Sequence, residues 1–138
     1  MNTLTAPVMA LVAWSLAVWL WMYVRRLPAM SKAGIKPQDA AFPGSLNGLP
    51  AGVRQAADNY NHLMEQPTIF YAAALAIQVG GHADGWALHL AWAYVILRVL
   101  HSLVQASVNI VLLRFALFSL ATFTLAVMVA RELVVLFG

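Results

Sequence analysis

The chain has 138 residues, 62% of them hydrophobic and only 9% charged, against about 25% charged in an ordinary soluble domain. With a mean hydropathy of +0.77 and apolar runs too long for buried core helices, residues 1–138 read as one all-α integral membrane domain of about four spans. The net charge is +3 and there is no cysteine. The basic groups are too scattered for nucleic acid, while disulfides, thiolate metal sites, iron–sulfur ligation and a cysteine nucleophile are excluded.

The first uncharged run, about 7–24, ends at Arg25-Arg26. No Lys or Arg precedes it, so it reads as a retained span whose carboxyl end faces the cytoplasm rather than as a cleaved signal. Residues 25–55 are broken by Pro28, Pro37, Pro43 and Pro50 and by four glycines, which predicts a loop. The next apolar stretch, Pro67 to Val79, has only 13 residues and cannot cross alone. Counting back from Gly80-Gly81 predicts a continuous helix over about 57–79, with Glu65 roughly 8–9 Å inside the boundary.

A third span over about 86–108 carries Arg98 about 10 Å from the cytoplasmic boundary. A fourth, over about 111–134, carries Arg114 one turn inside its start. Five basic residues, Arg25, Arg26, Lys32, Lys36 and Arg54, lie in the first connection and none lies between Gly80 and Gly85. The positive-inside rule then sets the large loop in the cytoplasm and both termini outside it.

The polar residues of these spans are patterned. Arg54, Asp58, Asn61 and Glu65 recur at helical spacing, as do Arg98, His101, Gln105 and Asn109, so each set shares one helix face. A charge facing lipid costs about 2.5–3.5 kcal/mol, so Glu65 and Arg98 are expected near each other against protein or a wet cleft. Arg54, Arg98 and Arg114 against Glu65 and Asp58 leave that cleft basic, as an anionic ligand requires. The competing reading is structural, the groups satisfying one another between helices.

Metal is set aside. His62-x-x-Glu65 has ligand spacing, but a di-metal bundle draws carboxylates from all four helices. His89 and His101 have no supporting haem motif. The tryptophans suit an interfacial belt, and Met64 and Met128 suit gap filling.

The stretch from Asp58 to Tyr71, DNYNHLMEQPTIFY, followed by Arg98-Val99-Leu100-His101-Ser102 and Arg114-Phe115-Ala116, resembles the MAPEG family, the membrane-associated proteins in eicosanoid and glutathione metabolism, and is similar to a bacterial branch of it. The order of spans, the long first loop and the length agree. The resemblance implies a four-helix bundle assembled as a homotrimer in a bacterial inner membrane, with glutathione as co-substrate between subunits near the cytoplasmic face. By position, Glu65, Arg98 and His101 match residues around the tripeptide, and Arg114 matches the arginine that stabilises its thiolate. Arg54, Asn61 and Gln105 complete the expected ligand-binding set. Departures are visible: Asp58 and His62 stand where the family's enzymes have Arg and Asn, Gln105 replaces a tyrosine, and Pro67 follows Glu65 by two residues.

A free thiol has a pKa near 8.5, which an adjacent arginine and a helix amino terminus lower. The expected activity is therefore a glutathione-dependent transferase or peroxidase acting on apolar, lipid-soluble compounds. The alternative is a non-catalytic membrane protein that binds a lipid or serves as a subunit of a larger complex.

Overall fold

The computed structural model describes residues 2–138. Its elements are α1 (Thr5–Lys32), a short 3-10 turn (Pro37–Ala40), α2 (Ala51–Leu63), α3 (Pro67–Val79), α4 (Gly85–Ala106) and α5 (Val111–Phe137), with no strand among the described residues. Helices α2 and α3 are two parts of one limb interrupted at residues 64–66, so with α1, α4 and α5 they make four helical limbs. Three of them, α1, α4 and α5, are long and apolar enough to cross a membrane. The architecture is an all-helical membrane bundle.

The helices differ from those the sequence predicts in three places, one of them the start of α2 at Ala51, within the expected loop. Helix α1 continues two turns beyond Arg25-Arg26 to Lys32, with Pro28 inside it. Pro28 has no N–H to offer the Val24 carbonyl, but Val24 is 61% exposed, where another donor can reach it. Charge thus marks where the apolar run ends, not where the helix does.

The third difference lies in the interrupted limb. Pro67 has no N–H, and its ring obstructs the carbonyl four residues back, that of Leu63. The ladder shifts accordingly to three-residue spacing: Met64 N donates to Asn61 O at 3.0 Å and Thr68 N to Glu65 O at 3.2 Å. Helix α3 then ends as the glycines predict. Gly81 adopts φ +76°, and His82 N reaches back to Ile77 O at 3.0 Å, a glycine-dependent closure of a helix end.

The main core lies where α1, α3, α4 and α5 meet, through Leu11, Phe70, Ala74, Ala91, Tyr94, Ala121 and Met128. Phe70 stacks on Tyr94 with ring centroids 4.5 Å apart. Helix α5 buries only Ala121, Leu125 and Met128, leaving Leu112, Phe115, Phe123 and Val134 outward. A helix with so much apolar surface outside its core contact has a hydrocarbon solvent or a second protein surface to meet.

Candidate functional site

The break between α2 and α3 leaves backbone carbonyls short of partners, and Arg98 of α4 meets one of them. Its Nη2 donates to the His62 carbonyl at 3.0 Å, to which Glu65 N also donates at a long 3.4 Å. Arg98 is fully buried, its guanidinium carbon 5.8 Å from the Phe118 ring centroid. The span arithmetic demanded that this charge face protein, and it does. Its partner differs from the expected one, however: no Arg98–Glu65 ion pair forms among the described residues, because the His62 carbonyl, poorly satisfied at the break, offers a fixed acceptor while Glu65 turns outward.

Glu65 leaves the break with its side chain 67% exposed, its carboxylate 3.8 Å from His62 Nδ1. It forms one wall of a polar pocket of about 330 Å³. Gln55, Asp58, Asn61 and His62 line it from α2 and Gln105 from α4, while Asn109 in the turn before α5 and Arg114 in its first turn close it. Asn109 sits at φ 49°, a conformation Asn tolerates better than most residues. From there its Oδ1 accepts a bond from Arg114 Nη1 at 2.7 Å. The turn into α5 thereby holds the arginine at the pocket wall. Gln105 Oε1 and Arg114 Nε have no partner among the described residues.

A second, more apolar pocket of about 290 Å³ adjoins the first, sharing His62 and Arg114 and adding His101, Val111, Phe115 and Phe118. His101 meets His62 edge to face at 5.1 Å. A fixed cation therefore stands between a polar chamber and an aromatic one. Such an arrangement can hold an anionic ligand with its reactive atom beside Arg114, facing an apolar second reactant.

Of the residues expected at the site, Asn61, Glu65, Gln105 and Arg114 line the polar pocket, and His101 lines its neighbour. Arg98 lies behind the wall and supports it. Arg54 lies on the exposed side of α2 and is absent from both linings. His62, which belongs to both pockets, was not singled out as a ligand residue. Its position eight residues beyond Arg54 puts it on the same helical stripe, and that spacing was the available signal. Phe115 and Phe118 carried no signal beyond being apolar.

The family model described as the MAPEG family matches residues 4–134. No curated protein and no solved structure matches the chain.

Proposed function

Because the chain belongs to the MAPEG family, and so is a multi-pass membrane protein, we propose that it is a membrane-bound transferase or peroxidase that uses glutathione against apolar, lipid-soluble compounds. The observation that carries this reading is Arg114 standing between the polar and the aromatic pocket. The polar chamber suits a charged tripeptide: Glu65 meets its ammonium group, and Asn61 and the unpartnered Gln105 Oε1 meet its amides. Arg98 and His101 hold the wall behind. The thiol is left at Arg114, in the first turn of α5, where the cation and the helix amino terminus both favour the thiolate.

In transfer, the thiol proton leaves to solvent and the sulfur lone pair forms the new bond to the electrophilic carbon as the leaving group departs with its electrons. In the peroxidase reaction, thiolate attack on oxygen breaks the O–O bond and releases the alcohol. A second glutathione then resolves the sulfenic acid to disulfide and water. Both need an apolar approach to a charged nucleophile, which Phe115 and Phe118 line. The chain works as a homotrimer in a bacterial inner membrane, with the pocket on the cytoplasmic side.

Calorimetric titration of the detergent-purified protein with glutathione tests binding, and thiolate absorbance against pH tests activation. Arg114→Ala is expected to raise the bound thiol's pKa by about a unit and to lower the conjugation rate more than the affinity. An unchanged thiol pKa and rate would remove Arg114 from the mechanism. Absence of glutathione binding by the unaltered protein would overturn the enzyme reading.

A further inference from the structure

On the other side of α4 from the proposed site, α1 and α4 leave two apolar hollows. One, of about 540 Å³, lies against Ala10, Ala13, Trp14, Ala17 and, across from them, Val95 and Val99. The other, of about 340 Å³, shares Trp14 and Ala17 and continues to Trp21. Together they form one groove along α1 from Ala10 to Trp21, about 16 Å at 1.5 Å per residue. That matches one leaflet of hydrocarbon, about half of 30 Å. Asn59 and Ser102 at the groove floor satisfy each other and add no unmet polar demand.

The groove ends at a cation. The Arg25 guanidinium carbon lies 5.5 Å from the Trp21 ring centroid, and its Nη2 lies so close to Gly52 of α2 that a Cβ there would sit 2.7 Å from it. Arg25 forms no ion pair among the described residues. Among the described residues, no carboxylate of the chain is placed against it. Of the five acidic residues, Asp39 bonds the Lys36 amide, Asp58 and Glu65 line the polar pocket, and Asp84 and Glu132 are paired near the opposite ends of the helices. An anion that meets Arg25 is therefore supplied from outside the protomer.

We propose that this groove is a binding site for an anionic membrane phospholipid, one acyl chain lying along Trp21, Ala17, Trp14 and Ala10 and the phosphate meeting Arg25 above Trp21. The headgroup supplies selectivity, since lipid tails are as apolar as the groove and gain only packing from it. The site is independent of the proposed catalytic pocket.

The test uses the full chain in phosphatidylcholine vesicles carrying a trace of spin-labelled phosphatidylglycerol or spin-labelled phosphatidylcholine, reading the motionally restricted fraction of each. Phosphatidylglycerol is expected to be preferred. Arg25→Gln should reduce that preference about fivefold, the effect of one basic group near an anionic headgroup. Ala17→Phe fills the exposed groove without touching the core and should reduce the restricted phosphatidylglycerol fraction while the oligomer mass stays unchanged. Equal restriction of both lipids, a preference that survives both variants, or its abolition by free glycerol phosphate would overturn the proposal. So would dissociation of the oligomer by Ala17→Phe, because the groove would then hold a neighbouring copy of the chain.

Discussion

Asn59 and Ser102 form a reciprocal pair between α2 and α4. Ser102 Oγ donates to Asn59 Oδ1 at 2.7 Å, and Asn59 Nδ2 donates to the Ser102 carbonyl at 3.2 Å. Both residues are buried, so removing one hydroxyl strands a carbonyl oxygen. Ser102→Ala is therefore expected to destabilise the protein by about 0.6–1.7 kcal/mol, the range of interhelical polar contacts in membranes. Unfolding in mixed detergent micelles measures it. Adding Asn59→Leu should recover part of the loss, because the stranded group leaves with its partner; a purely additive double variant would mean that the two side chains do not act as a pair.

The broken limb depends on one imino acid, but its two halves are tied down by Gln66. Gln66 Nε2 donates to Thr122 Oγ1 at 2.8 Å, and its Oε1 accepts from the Tyr94 hydroxyl at 3.2 Å. Pro67→Ala restores an N–H facing the Leu63 carbonyl, so residues 64–68 are expected to become continuous helix. Amide hydrogen exchange at Glu65 and Thr68 should slow, and unchanged exchange would locate the cause of the break in the Gln66 contacts instead. At the other end, Asp84 caps α4 by accepting from Ala87 N at 2.7 Å and pairs with Arg131 of α5 at 2.8 Å.

The Arg131 guanidinium, followed by the Ala87 amide, holds the Asp84 carboxyl at about 2, below its ordinary 3.8. A depressed carboxylate stabilises the fold above its unfolded value and ceases to do so as pH falls from near 4 towards 2. Thermal unfolding of the wild type should lose stability across that window. Asp84→Asn, which keeps the capping acceptor but not the charge, should flatten the profile, and Asp84→Ala should be the less stable of the two at neutral pH.

Assembly and orientation follow from the outer surface. Helix α5 exposes Leu112, Phe115, Phe123 and Val134, and the five basic residues between Arg25 and Arg54, at the end of α1, in the connection and at the start of α2, face no balancing set in the short connection from Gly80 to Gly85. A reporter active only in the periplasm, fused after Gly138, is expected to be active. Activity of a cytoplasmic reporter alone would invert the bundle and move the proposed pocket to the opposite face. Native mass spectrometry in detergent is expected to find three times the 15.0 kDa chain mass; a monomer would remove the trimer.

The sequence alone determined the all-helical membrane class, because uncharged runs and their basic flanks are properties of local composition that lipid reads directly. It also set Asn61 and Glu65 on one helix stripe and Gln105 on another, since helical spacing converts position into direction, and it required Arg98 to face protein. Periodicity says which side of a helix a group occupies, not what stands opposite. The tertiary structure alone decided that Arg98 meets the His62 carbonyl rather than Glu65, that Asn109 secures Arg114, and that His62 borders both pockets. The first and last are set by how the Pro67 break directs limbs distant in the chain together, and the second by the backbone of the turn before α5, where Asn109 takes a positive φ.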